Sequence, residues 1–321
     1  MKPTDLRAIL QYIPRFRDKV FVLSVDGAII TEGNFVNILT DVAVLRSLNI
    51  RVVLVHGAGA QIKLLAEQQG INPSDLAGSG VTDARTLQLA LTAANRLTHE
   101  ILEGLAAHDL RAVSTNAITA YPLGILQGVD HLFTGKIERI DTELLQTLLA
   151  QSIIPVIPPL GFDGDGRTYR VNSDSVAVAL AEALKATKLI FITTQDGLFR
   201  DGQFIRQMLV ADLDTILAKD KNAFDPEISS KAVHASAACK AGIQRVHIIN
   251  GRIDESLLTE VFSNEGVGTL IYANEYQQIR RALKKDIRQI LQLTTQLTHS
   301  KSVGNGRKNL HRLFRDAFAF L

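Results

Sequence analysis

Two apolar runs, Phe21-Val22-Leu23-Ser24-Val25 and Arg51-Val52-Val53-Leu54-Val55-His56, each pass almost directly into glycine, at Gly27 and Gly57. Their hydrophobicity is continuous rather than alternating, so a strand formed there must be covered on both faces, as in a parallel sheet between two helical layers. The rest of the chain repeats the pattern. Strand-like runs at 112–115, 153–158, 189–194 and 246–250 alternate with helical periodicity at 35–48, 61–69, 83–107, 173–184 and 228–241. Leu87, Leu91, Ala94 and Leu97 mark one face of the longest of these helices. The order predicts an α/β chain, a three-layer α/β/α sandwich around a mostly parallel sheet. The segment 125–141, with Gly128, Gly135 and short alternating runs, is expected to leave that sheet as a local antiparallel excursion lining a substrate site.

A chain of 321 residues, 46% hydrophobic and 21% charged, suffices for one large domain and a smaller piece. Its net charge of +2 rests on nearly balanced acids and bases, which favours neither nucleic acid nor a membrane surface. Small molecules and protein subunits are the expected partners. The lone cysteine, Cys239, excludes an internal disulfide and a cysteine-built zinc site, and fits a buried position in an Ala-rich helix. The eight histidines lack metal-ligand spacing, and no metal is expected. Met1-Lys2-Pro3-Thr4-Asp5 does not open a signal peptide, and no apolar run approaches the ~20 residues that span a bilayer, so a soluble, cytoplasmic chain is expected.

The two ends differ from the middle. Leu6, Ile9, Leu10, Ile13 and Phe16 follow helical spacing, with Pro14 expected to kink or end that helix near Ile13. Beyond Tyr272, Ile279, Ile287, Ile290, Leu291 and Leu297 form a second helical stripe among basic and Gln/Thr residues, so a boundary falls near 272–278.

The turn His56-Gly57-Ala58-Gly59-Ala60 lets backbone approach an anion at a helix start, although such glycines often serve a tight turn alone. With the first strand it resembles the amino-acid kinase family, and within it the acetylglutamate kinases, whose first strand ends Lys-Leu-Gly-Gly and whose second carries His-Gly-Gly-Gly-Pro-Gln. The resemblance implies a ligand loop at Gly57 and Gly59, and kinase remnants at Asp174, in Tyr169-Arg170-Val171-Asn172-Ser173-Asp174, and at Lys231. It also implies losses. Ser24 stands at the phosphate-handling lysine, Gly80 at the substrate-gripping arginine, Thr194 at a nucleotide-side aspartate, and Arg170 at an asparagine. Phosphoryl transfer depends on oriented cations, and losing one costs about 3 kcal/mol, so kinase catalysis is not expected. An acetylglutamate kinase using ATP with displaced catalytic groups remains the alternative.

A second resemblance accommodates those losses. Pro122-Leu123-Gly124, Gly128-Val129-Asp130, Gly135-Lys136-Ile137-Glu138-Arg139-Ile140-Asp141 and Gln278-Ile279-Arg280-Arg281-Ala282 resemble bacterial N-acetylglutamate synthases, in which a silent kinase-like domain precedes an acetyltransferase of the GNAT type. This implies an oligomerisation helix at 1–17, a kinase-like domain at 18–273 and the incomplete start of an acetyltransferase at 274–321. It implies no cofactor in this chain, with acetyl-CoA and glutamate used by the complete enzyme. His247-Ile248-Ile249-Asn250-Gly251-Arg252, Glu260 and Gly266-Val267-Gly268-Thr269 resemble the arginine-site signature of arginine-inhibited members. The implied effector is L-arginine, bound by Tyr12, His247, Glu260, Gly266, Gly268 and Thr269, with Glu260 offering paired acceptors to the guanidinium. The implied assembly is a hexamer interlaced by the first helix. The competing reading makes the glycines a plain turn and puts Glu260 on a solvated helix face.

Overall fold

The computed structural model describes residues 12–220, 223–263 and 266–273. The first helix positions, Leu6 to Leu10, and the expected acetyltransferase segment 274–321 lie outside those residues. Along the chain the strands are β1 (Val20–Val25), β2 (Arg51–His56), β3 (Ala112–Ser114), β4 (Ile118–Pro122), β5 (Ile125–Leu126), β6 (Val129–Asp130), β7 (Gly135–Ile140) and β8 (Ile154–Ile157). They continue with β9 (Leu160–Phe162), β10 (Thr168–Arg170), β11 (Lys188–Thr193), β12 (Leu198–Arg200), β13 (Gln203–Ile205), β14 (Gln207–Leu209), β15 (Arg245–Asn250) and β16 (Thr269–Tyr272).

Eight of these form one sheet in the order β14-β16-β15-β11-β1-β2-β8-β3. Every pairing in it is parallel except β15 with β16. Successive side chains on a strand face opposite ways, and the core divides accordingly. Val22, Val53, Leu189 and Phe191 pack into one buried cluster with the helices Thr142–Ala150, Ser173–Ala183 and Pro226–Lys240. Phe21, Leu23, Leu54, Ile190 and Ile192 pack into the other, with the helices Phe35–Ser47, Gly59–Gln69 and Ala84–Ala107. Residues buried on both faces explain the absence of alternation in the sequence. The long helix starts where Asp83 accepts a hydrogen bond from the Thr86 N–H at 2.7 Å, and the helix from Ser173 is capped the same way by Asn172.

Pro14 sits in the first turn of the short helix Ile13–Phe16, where its missing N–H has no intrahelical partner to lose, and the stretch Leu6 to Leu10 that it was expected to kink or end lies outside the described residues. Two features depart from the expected pattern. The antiparallel excursion is wider than 125–141. Its sheet runs β10-β9-β4-β7, with β5 and β6 as a separate hairpin. The helices Thr142–Ala150 and Val210–Lys219 also stand where no helix was read from the periodicity.

One buried acid loads the packing between helices. Asp41, in the helix Phe35–Ser47, is only 6% exposed. Burial, against the Leu258 N–H bond and with Asp254 and Glu255 nearby, raises its pKa from 3.8 to about 7. A raised folded-state pKa favours the protonated form, so the destabilisation grows as pH climbs from about 4 to about 7 and is complete above. Asp41→Asn is therefore expected to stabilise the fold at pH 8 by about 1–2 kcal/mol, allowing for partial solvation, and not at pH 4. Urea unfolding at the two pH values measures it.

Candidate ligand sites at the two ends of the sheet

β1 and β2 run in parallel register with Val25 opposite His56, so their following turns leave the same carboxyl-terminal edge. The Gly57 N–H donates to the Val25 carbonyl at 2.9 Å. A Cβ at Gly27 would lie 2.9 Å from the Gly57 carbonyl oxygen, and one at Gly59 would lie 3.1 Å from the Leu76 carbonyl oxygen, so both glycines serve close backbone approach. His56 beneath the turn is buried, with Nε2 2.9 Å from Thr98 Oγ1. Burial lowers its pKa to about 4 and leaves it neutral.

Beside the turn, Lys231 Nζ lies 2.8 Å from Asp26 Oδ1 and 3.3 Å from Asp174 Oδ1. Burial works against the ammonium, but the Asp26 and Asp174 carboxylates hold its pKa above the usual lysine range. Ser230 Oγ donates to the second Asp174 oxygen at 2.6 Å. The sequence reading found Asp174 and Lys231 and missed Asp26, an acid that follows a strand as any turn residue might. Ser24 is itself buried in β1.

The loop from Asp75 closes over the same turn. Arg170 Nη1 donates to the Asp75 carbonyl at 2.7 Å, Nη2 donates to the Leu76 carbonyl, and the Asp75 carboxylate lies 3.5 Å away. Asn172 Nδ2 donates to the Ala77 carbonyl at 2.9 Å. A Cβ at Gly80 would sit 2.9 Å from Asp75 Oδ1, so the space next to position 80 is already filled by that carboxylate. Thr194 follows β11 at the same edge, and Asn250 Nδ2 donates to Asp196 at 2.7 Å across the neighbouring turns.

A second cluster lies toward the amino-terminal ends of β11 and β15. Lys188 Nζ is 3.0 Å from His247 Nε2, and His247 Nδ1 is 2.6 Å from Glu260 Oε1. Glu260 Oε2 accepts from the Val267 N–H at 2.7 Å and the Gly268 N–H at 3.0 Å. All three side chains are buried. Burial, then the Lys188 charge, lowers the His247 pKa to about 4, against the pull of Glu260. Burial alone would raise the Glu260 carboxyl, but the hydrogen bonds from His247, Gly268 and Val267 hold it at about 2. Burial also lowers Lys188 to about 7, with Glu260 opposing. Neutral His247 thus donates from Nδ1 and accepts at Nε2, relaying between a cation and a carboxylate.

Glu260 is therefore not on a solvated helix face. Nor are its lone pairs free as a matched pair: three of roughly four acceptor positions are taken. Gly266 has a φ of +63°, and a Cβ at Gly268 would collide with the Ile248 carbonyl, so the turn requires both glycines. Tyr12 stacks on Phe16 at 5.8 Å between centroids and meets Phe262 at 6.0 Å. The Phe16 ring centroid is 5.5 Å from Lys188 Nζ, which ties the aromatic cluster to the relay. Thr269 flanks the cluster, but its hydroxyl faces away from it, donating to the Ile205 carbonyl and accepting from the Leu198 N–H. Lys188 escaped the sequence reading because it opens an apolar strand, where a lysine reads as a flank.

Among the described residues no His, Cys, Asp or Glu cluster could hold a metal ion, and no helix is long and apolar enough to cross a membrane. Cys239 is buried in its helix, as the composition implied. Residues 19–250 match the amino acid kinase family. The chain belongs to the amino acid kinase family. Within the family it is 35% identical over 270 residues to an acetylglutamate kinase of Pseudothermotoga lettingae, covering 82% of this chain and 95% of the relative. It is 32% identical over 302 residues to an amino-acid acetyltransferase of Pseudomonas fluorescens, covering 91% of this chain and 69% of the relative. The N-acetylglutamate synthase of Neisseria gonorrhoeae complexed with coenzyme A and N-acetyl-glutamate superposes with a TM-score of 0.79 at 32% identity, over 92% of this chain and 69% of that one. The same enzyme complexed with coenzyme A and L-arginine gives 0.78 at 30% identity, over 90% and 70%. The family fold is thus shared with kinase and acetyltransferase relatives alike.

Proposed function

We propose that residues 18–273 are the kinase-silent, arginine-sensing domain of an N-acetylglutamate synthase of arginine biosynthesis. The observation that carries the reading is the second cluster. An ionised, buried Glu260 holds a glycine turn through two backbone amides, keeps one acceptor position in reserve, and sits beside aromatic residues and Lys188. A guanidinium meets the carboxylate, the turn admits the amino-acid end of the ligand, and Tyr12 covers it. Thr269 holds the strand behind the turn. The arginine complex of the gonococcal relative supports this choice of ligand.

The acetyltransferase alignment runs 302 residues against 270 for the kinase, which supports reading 274–321 as the opening of an acetyltransferase domain. Glutamate and acetyl-CoA are then substrates of the complete enzyme, met outside residues 18–273. Residues 1–17 are read as the helix that assembles a hexamer, in the cytoplasm. Kinase silence follows from Ser24 and from a Lys231 already held by two carboxylates. With N-acetylglutamate and magnesium-ATP, the chain is expected to release no ADP above a protein-free control in a coupled assay. Turnover dependent on N-acetylglutamate would reinstate acetylglutamate kinase, the reading that Asp174, Lys231 and the glycine turn favour.

A further inference from the structure

We propose that Asp26 is a built-in anion: its carboxylate occupies the place beside the glycine turn that a phosphate group would take on Lys231, and so closes the site to phosphorylated ligands. The inference extends the reading of this site as kinase-silent, and it identifies a gained acid, rather than only lost cations, as the feature that excludes phosphate.

The geometry is specific. Asp26 follows β1 and is fixed through its backbone, its N–H donating to the Ile192 carbonyl at 2.9 Å and its carbonyl accepting from the Ile29 N–H at 2.9 Å. From there the carboxylate reaches Lys231 Nζ at 2.8 Å, closer than Asp174 at 3.3 Å. The two acids differ in access. The Asp26 side chain is 26% exposed, whereas those of Asp174 and Lys231 are 5% and 6% exposed. Asp26 is thus the solvent-facing partner, and Asp174 the interior one. Asp174 has a further donor in Ser230, while a bare Lys231 turned toward the glycine turn would have a donor to offer.

Charge points the same way. One lysine between two carboxylates leaves the cluster at −1, which repels an incoming polyanion; without Asp26 the lysine and Asp174 balance and a cationic donor opens beside the turn. The neighbouring cation is treated alike. Arg170 is buried and spent on the Asp75 and Leu76 carbonyls and on the Asp75 carboxylate, within the loop that abuts Gly59. Both buried cations bordering the turn are therefore satisfied within the chain, Lys231 by two carboxylates and Arg170 by two backbone carbonyls with the Asp75 carboxylate beside it.

The test is calorimetric titration of the full chain with inorganic pyrophosphate at fixed ionic strength, using the natural sequence, Asp26→Asn, Asp26→Gly and, as a control of equal charge change, the exposed Asp254→Asn. The expected result is saturable binding by both Asp26 variants, about tenfold or more tighter than any seen with the natural sequence or with Asp254→Asn. Asp26→Asn keeps the side-chain shape and leaves Lys231 paired with Asp174, so it is expected to fold, with a cooperative melting transition and an unchanged circular dichroism spectrum as the check. Folded Asp26 variants that bind pyrophosphate no better than the natural sequence would overturn the proposal, as would equal gains from Asp254→Asn. ATP turnover by the natural sequence would instead overturn kinase silence, so the two ideas fail separately.

Discussion

Glu260→Ala is expected to weaken the proposed L-arginine binding by about a hundredfold or more, to the point of losing a saturable isotherm. Two contributions combine. The proposed ligand would lose its buried counter-charge in the cluster of Lys188, His247 and Glu260, and the Val267 and Gly268 amides would lose their shared acceptor, so the turn proposed to receive it would no longer be held. Hydrogen bonds to a charged group are worth about 1.5–3 kcal/mol each, which places the loss at two decades in affinity or beyond. The variant must be shown to be folded, because freeing two buried amides also costs stability. A folded Glu260→Ala chain with arginine affinity within threefold of the natural sequence, roughly 0.7 kcal/mol, would remove Glu260 from the site.

The largest effect on stability is expected from Lys231→Met. Methionine approximates the lysine stem but removes the charge, leaving Asp26 and Asp174 facing one another, the latter buried. Breaking a buried pair from one side typically costs about 3–5 kcal/mol, because the remaining charge stays buried without compensation. Three elements meet at that lysine: the end of β1, the start of the helix Ser173–Ala183, and the helix Pro226–Lys240. Loosening the contact therefore affects the buried layer that the two helices share. Urea unfolding by circular dichroism measures it. A change below about 1 kcal/mol would mean that the cluster holds nothing together.

The fold was legible because its signals are long and redundant. β1 and β2 are six-residue apolar runs whose bounds follow directly from composition. The helix Ala84–Ala107 carries both a stripe and a capping aspartate. What escaped was short or masked by its context. β9 is three residues with Gly161 at its centre, where a Cβ would lie 2.6 Å from that of Ala120, so tertiary proximity and not local preference makes it a strand. The helix Thr142–Ala150 did have a signal, the capping residue Asp141 that accepts from the Leu144 N–H, but Asp141 also ends the alternating run before it and was read only as the end of that run.

The sites divide along the same line. Residues in ordered motifs, Gly57, Gly59, Asp174, Lys231, His247, Glu260, Gly266 and Gly268, could be named from the sequence. Asp26 and Lys188 could not, because each matters only through a partner distant in sequence: Lys231 for the first, His247 for the second. Glu260 could be named, but not the fact that three donors of the chain already hold it. Buried polar networks are defined by mutual satisfaction, and one sequence shows the members without the bonds.

Titration calorimetry of the purified chain with L-arginine, beside a parallel titration with magnesium-ATP, tests the central claim most directly. The account predicts a saturable arginine isotherm and no heat from ATP binding. ATP binding without arginine binding would contradict it.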